Sequence, residues 1–290
     1  MHCECDSAEI HDDHRKYRER SIEMLFWHNT TAQDLHMRWR QDIVGFYTRR
    51  KLTRSSDKII ALSAIAESFQ TKLKSKYLVG LWEQDLILDM LWSAGDPGLR
   101  ESYQVPTWSW VACAGWTYYP LLIQHNVVRL ATLISFHISH TTSGPPGIPD
   151  FGSVILRGKL ARVTIKHEPS AEIRSQSGPF KVDVLDYKGL TSWIANPDIF
   201  PPTLSGHSTC CGTTDVWHPG QLKGHLYFVR VLFMPFYPEE RCLYGIILIP
   251  SPQRHPAYNR MGIVMFYLRY KYDDIKKALH LWDDEHITIT

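Results

Sequence analysis

The stretch "YQVPTWSWVA", residues 103–112, marks where the sequence changes its period. Before it, apolar residues recur with helical spacing. After it they recur as short runs rich in β-branched and aromatic residues, bounded by Gly, Pro or charged turns. Pro106 biases Val105 toward extended geometry and cannot donate a backbone hydrogen bond. In a strand, Trp108 and Trp110 would share one face, with Ser109 on the other. Two indoles placed so are expected to bury a large apolar area and anchor a helical part on a sheet. The rival reading is an aromatic platform for a ligand such as a sugar or base.

Working back from this point, "LHMRWRQDIVGFYTRR" (35–50) puts Leu35, Trp39, Ile43, Phe46 and Tyr47 on one helical face. "SSDKIIALSAIAESF" (55–69) opens with Ser56 as N-cap and Asp57 in the first turn, and buries Ile59, Leu62, Ile65, Ala66 and Phe69. "KYLVGLWEQDLILDMLW" (76–92) is apolar over more than half a helical circumference and is expected as a buried helix, stopped by "AGDPG" (94–98). Working forward, strands are expected at 158–165, 180–186, 225–234, 242–249, 261–270 and 286–290, several alternating as antiparallel strands covered on one face do. The segments 141–149 and 196–215 read as loops. Helices first and strands later predicts an α+β fold: a helical segment over 1–100 and a mainly antiparallel β-rich domain over 101–290, sandwich or barrel-like.

Composition narrows the function classes. The chain has 290 residues, of which 44% are hydrophobic, so a sizeable core is affordable and disorder is disfavoured. Lys plus Arg is 32 against 30 for Asp plus Glu, a formal charge of +2 that predicts no general attraction to nucleic acid or anionic membrane. The polar N-terminus has no apolar signal core, and no apolar run is long enough to span a bilayer. Six cysteines are too few for a disulfide framework in a chain this long and read as reduced thiols of a cytosolic or nuclear compartment, with the cytoplasm the expected location.

Each candidate site meets a plainer rival. Cys3, Cys5, His11 and His14 cluster near the N-terminus, and His207, Cys210, Cys211 and His218 in a loop. Neither spacing suits tetrahedral zinc, so no metal is expected. Ser109 is not in a nucleophile elbow, and no histidine can be placed beside Cys113. No phosphate-binding glycine motif is present, so no cofactor is expected. The basic run Arg49, Arg50, Lys51 and Arg54 reads as a solvated helix end. The acidic pairs Glu239–Glu240 and Asp283–Asp284 are adjacent in sequence rather than converging across a cleft.

Several ordered segments resemble the region that follows the core of fungal heterokaryon-incompatibility (HET) domain proteins. The family's "Y-S-x-R-x-L-T-x-x-x-D-K-L-x-A-L-S-G-I-A" is similar to "YTRRKLTRSSDKIIALSAIA" (47–66), preceded by a tryptophan-containing helix. Its "Y-L-A-G-L-W" is similar to "YLVGLW" (77–82), and its "A-P-S-W-S-W-A-S" to "VPTWSWVA" (105–112). "NRMGIV" (259–264) and "HITIT" (286–290) resemble the family's late strands. Thr48, Ala64 and Thr107 depart from the pattern. The resemblance singles out Asp57, Tyr77, Gly80, Leu81, Trp82, Pro106, Trp108, Ser109 and Trp110 as motif residues.

"HCECDSAE" (2–9) looks like the segment that comes directly after the family's core, so the core is expected upstream of Met1 and the chain, lacking it, is expected to be a truncated member of the family. The resemblance implies a non-enzymatic accessory or regulatory region of a fungal non-self recognition and programmed cell death protein. Its partner would be a HET core, in the same polypeptide or another. The alternative is a stand-alone hydrolase, or a ligand-binding module using an aromatic face.

Overall fold

In the computed structural model the described residues are 30–50, 57–94, 105–113, 115–119, 128–139, 149, 151–167, 180–184, 194–197, 226–236, 240–251, 253–268 and 284–290. Helices α1 (Ala32–Arg38) and α2 (Gly45–Thr48) are joined through π-helical Trp39–Val44 into one continuous rod. Thr31 starts it with a capping box: its hydroxyl accepts from Asp34 N–H, and the Asp34 carboxylate accepts from Thr31 N–H. Helix α3 (Asp57–Leu73) carries the expected stripe, with Ile59, Leu62, Ala66 and Phe69 buried. Its expected cap, Ser56, lies outside the described residues, as do both cysteine–histidine clusters, Lys51, Arg54, Glu239, Asp283 and nearly all of the two expected loops.

The segment 76–92 is not one helix. Strands β1 (Tyr77–Leu78) and β2 (Leu81–Trp82) form a hairpin, followed by a 3-10 turn (Glu83–Asp85) and the short helix α4 (Leu86–Asp89). The turn demands left-handed backbone at Val79 (φ 49°) and Gly80 (φ 94°). Glycine is the residue that takes such a φ without a steric penalty. It is also the residue the packing requires, because a Cβ on Gly80 would stand 2.7 Å from Trp110 Nε1.

Strands β3 (Ser93–Ala94) and β4 (Thr117–Tyr118) pair as a second small ribbon. The remaining strands make one nine-stranded sheet: β5 (Val128–Arg129), β6 (Thr132–Ser139), β7 (Phe151–His167), β8 (Phe180–Val184), β9 (Ile194–Pro197), β10 (Leu226–Phe236), β11 (Glu240–Pro250), β12 (Tyr258–Leu268) and β13 (Asp284–Ile289). All six expected strands are present. Antiparallel pairing runs β7–β8–β9–β12–β11–β10 and returns from β10 to β7, so the sheet closes as a barrel-like ring rather than a sandwich. β13 lies antiparallel to β7 and touches β12 in parallel at Tyr258↔Ile289. The α+β expectation, helical part first and mainly antiparallel sheet after, describes this architecture.

The helical layer and the sheet share one core, which joins Trp39, Phe69 and Trp92 to Val154, Leu156, Ile246, Leu248, Ile287 and Ile289. Arg260 of β12 fastens the two parts. Its guanidinium stacks 3.7 Å over the Trp92 ring and donates to the carbonyls of Met90 and Trp92. No helix among the described residues is long and apolar enough to cross a membrane.

The Trp-Ser-Trp stretch is not a strand. Residues 107–109 turn, and Trp110–Ala112 form a 3-10 helix capped by Ser109, whose hydroxyl accepts from Val111 N–H. The same hydroxyl donates to the Val79 carbonyl at 2.6 Å. Trp108, Ser109 and Trp110 are therefore all fully buried, with no outward face left for the serine. Local hydroxyl-to-backbone bonding offered a turn that the strand pattern did not reveal.

Candidate functional site

The sequence gives no hint of where two helices bring charge together. His36 and Arg40 lie four residues apart along the first rod and share a face, whereas Asp85 ends the 3-10 turn and Asp89 ends the short helix α4 that follows it. The two segments meet with these residues opposed. Arg40 Nε donates to Asp89 Oδ1 at 2.7 Å, and an Arg40 Nη donates to Asp85 Oδ2. Arg129 of β5 donates to Asp85 Oδ1, and Trp82 N–H to Asp89 Oδ2 at 2.7 Å. Ligand atoms of His36, Asp85 and Asp89 lie within 4.8 Å of one another, and all three residues are buried.

This cluster corrects the expectation of a non-enzyme, which was argued from the absence of converging groups. The groups do converge, contributed by segments more than forty residues apart, a separation at which no sequence spacing reports contact. Of the acidic residues singled out from sequence, Asp284 stands apart from them, surface-exposed and paired with Lys159 and Arg157.

Burial sets the protonation chemistry. His36 is 5% exposed, and burial pushes its imidazole down to about 4, so it is neutral near pH 7. Its Nδ1 finds no hydrogen-bond partner among the described residues. Burial likewise pushes the Asp89 carboxyl up to about 6, against the opposing pull of Arg40. For Arg40, burial works against the charge, but Asp89 and Asp85 outweigh it and hold the guanidinium above its ordinary range. A neutral imidazole beside a carboxyl tuned toward neutrality is the equipment of general acid–base chemistry. For a divalent cation the same three residues offer ligand atoms. Each carboxylate oxygen already accepts an N–H, however, and two guanidinium charges already balance two carboxylates, so a cation would have to displace Arg40.

The protonation chemistry carries a pH test. An imidazole depressed from 6.5 to about 4 stabilises the fold fully above pH 6.5, and that stability is lost as pH falls toward 4. Asp89, raised from 3.8 to about 6, works oppositely, its contribution being lost as pH rises through 6. His36→Gln removes the first effect alone. On going from pH 7 to pH 4.5 the variant is expected to lose less stability than the wild type, by on the order of 1–3 kcal/mol. Equal losses in urea titrations at the two pH values would refute this placement of His36.

Beside the cluster a pocket of about 130 Å³ is lined by Glu83, Gln84, Leu86, Ile87, Arg129, Ala131, Thr132 and Leu133. Arg129 belongs to both sites. Its side chain is 47% exposed, held by Asp85 and, at 3.5 Å, by the Gln84 carbonyl.

The motif residues singled out from sequence occupy the neighbouring core. Tyr77 and Trp82 pack with Trp39 and Phe69, with ring centroids 5.1–5.6 Å apart around Trp39 and 5.1 Å between Tyr77 and Trp82. The Gly80 carbonyl accepts from both Trp39 Nε1 (2.9 Å) and Trp110 Nε1 (3.0 Å). Leu81, Pro106, Trp108 and Ser109 are buried around this point, and Pro106 and Trp108 close over Gly152 of β7. Asp57 stands apart, exposed in the first turn of α3. Cys113 is buried, and its carbonyl accepts from Lys58. Arg49 and Arg50 are exposed, with Arg49 over the Trp116 ring at 5.1 Å.

These elements define an α+β protein with a closed antiparallel sheet and a buried, charge-balanced cluster linked through Arg129 to a small pocket. No family model, no curated protein and no solved structure matches the chain.

Proposed function

We propose that the chain is a binding module for a small monocarboxylate, taken at the pocket beside Arg129. One observation carries the reading: a half-exposed guanidinium lines a partly apolar pocket while a buried carboxylate fixes its orientation. A guanidinium has five N–H donors in a planar fork matched to carboxylate geometry. Asp85 and the Gln84 carbonyl engage two of them. Leu86, Ile87, Ala131 and Leu133 supply apolar wall for a short alkyl chain. The volume is well below the roughly 300–1,000 Å³ of pockets for drug-sized ligands, which limits the occupant to a few carbons. Glu83, at the same lining, disfavours a second negative charge.

This keeps the ligand-binding alternative but moves it away from the aromatic face. Trp39, Trp82, Trp108 and Trp110 are fully buried and offer no ring to a ligand, and the aromatic cluster serves instead as the rigid wall that holds Asp89 through Trp82 N–H.

The test is thermal unfolding with butyrate, butanol and butylammonium. Butyrate alone is expected to stabilise, by about 2.7 kcal/mol at a hundredfold excess over Kd. The effect should vanish in Arg129→Gln, measured against that variant's own baseline. Equal responses to all three compounds, or an undiminished butyrate response in the variant, would end the proposal.

A second reading keeps the module in a HET-type non-self recognition protein of the cytoplasm, regulating a HET core supplied in cis or in trans. The observation that favours it is that the described parts of the resembling segments, 39–50, 57–66, 77–82 and 105–112, share one core, with Trp39, Ser109 and Trp110 bonded to the Val79–Gly80 turn, as segments of one folding unit would be. Binding of this chain to a separately expressed HET core, measured by calorimetry, tests it. No heat of binding with any such core would sink it.

A further inference from the structure

We infer that the pocket takes a free α-amino acid with a short apolar side chain, an assignment that rests on the Arg129 carboxylate site proposed above. The lining carries charges of both signs. Arg129 comes from β5, and Glu83 opens the 3-10 turn that leads into α4. A guanidinium complements a carboxylate, and a carboxylate complements an ammonium, so the two side chains match the two ends of a zwitterion.

Glu83 is held loosely. Its side chain is 35% exposed and pairs with Lys76 at 4.0 Å, the outer limit of an ion pair. Lys76 is 68% exposed and lies over the Phe136 ring of β6 at 5.3 Å. A ligand ammonium would meet the Glu83 carboxylate at the roughly 2.8 Å of a charge-assisted hydrogen bond, and so displaces a contact of that length. Arg129 is held more firmly, by Asp85 and the Gln84 carbonyl, and keeps donors to spare.

Charge balance favours the zwitterion over a plain monocarboxylate. A monoanion pairs with Arg129 but brings its charge toward Glu83. A zwitterion satisfies both side chains and adds no net charge to the pocket. The spacing fits a ligand whose two charged groups hang on one carbon. Arg129 Nη1 donates to the Gln84 carbonyl at 3.5 Å, and Gln84 directly follows Glu83, with consecutive Cα atoms about 3.8 Å apart. The guanidinium is thus one residue away from the Glu83 backbone. Leu86 and Ile87 on one side, with Ala131 and Leu133 on the other, leave apolar wall for the ligand's side chain.

Calorimetric titration of the full chain at pH 7 with butyrate, 2-hydroxybutyrate, 2-aminobutyrate and 4-aminobutyrate tests the assignment. 2-Aminobutyrate is expected to bind about fivefold more tightly than butyrate, the upper worth of a partly exposed ion pair. 2-Hydroxybutyrate, similar in shape but without the positive charge, should match butyrate. 4-Aminobutyrate, with three methylenes between its charged groups, should gain nothing. Glu83→Gln should bring 2-aminobutyrate down to the affinity of butyrate, while butyrate binding persists and shows that the pocket still forms. Butyrate binding with no gain for 2-aminobutyrate, a gain that survives in Glu83→Gln, or an equal gain for 2-hydroxybutyrate or 4-aminobutyrate would each overturn the assignment and leave the monocarboxylate reading in place. Binding of none of the four compounds would overturn both.

Discussion

Asp89→Ala is expected to cost about 3–5 kcal/mol of unfolding free energy, the range found when one partner of a buried ion pair is removed. Asp89 is 0% exposed, and both its oxygens are engaged, by Arg40 Nε and Trp82 N–H. The substitution leaves the buried Arg40 guanidinium with Asp85 alone, and Asp85 is shared with Arg129. It also strips the acceptor that holds Trp82 N–H. The loss is expected to come from the charge left behind rather than from the intrinsic worth of the pair, because burying two ions already costs much of what their attraction returns. Replacing Arg40 and Asp89 together by Met and Leu should therefore cost less than the sum of the two single losses. Urea titrations with unchanged m-values decide this. An Asp89→Ala loss below about 1 kcal/mol, the worth of an exposed pair, would show that the cluster is effectively solvated.

Trp110→Ala is the second large effect, expected at about 3–5 kcal/mol. The indole is 0% exposed and packs directly on Gly80, where no Cβ would fit. Deleting it opens a cavity at the point where the hairpin turn, the first helix and the 3-10 turn meet. Trp110→Phe separates two contributions. It keeps most of the ring volume but leaves the Gly80 carbonyl only the Trp39 N–H, and should cost about 1 kcal/mol. If calorimetric midpoints of both variants stayed at the wild-type value, Trp110 would have to be a surface residue rather than part of this core.

The cluster and the tryptophan core differ in how far the chain announces them. Trp39, Trp82, Trp108 and Trp110 are large, apolar and flanked by periodic residues, so burial follows from transfer free energy alone. The periodic helix Asp57–Leu73 and the β-branched strands were legible for the same reason. The hairpin at Tyr77–Trp82 was not, because a continuous apolar run suits a buried helix and a buried strand equally. What decides it is the left-handed turn at Val79 and Gly80, stabilised by bonds from Trp39, Ser109 and Trp110 that lie 30 to 41 residues away. The Trp-Ser-Trp turn is the other half of that exchange, since Ser109 gives its hydroxyl to the Val79 carbonyl.

The charged cluster shows the limit most plainly. His36 and Arg40 share a helical face by their spacing, whereas Asp85 ends a 3-10 turn and Asp89 ends the short helix that follows it. Nothing in either pair says that the other will face it. Coulomb attraction depends on distance in space, and the 49 residues between Arg40 and Asp89 leave that distance to the packing of the helical layer on the sheet. The sequence by itself determined the α+β class, the order of helices before strands and the burial of the tryptophans, because those follow from periodicity and hydrophobic transfer. Tertiary structure alone decided that the sheet closes on itself, that β6 pairs with β7 outside the ring, and that two acids, two arginines and a histidine meet beside a pocket. Those outcomes rest on contacts between segments whose separations along the chain carry no energetic signal of their own.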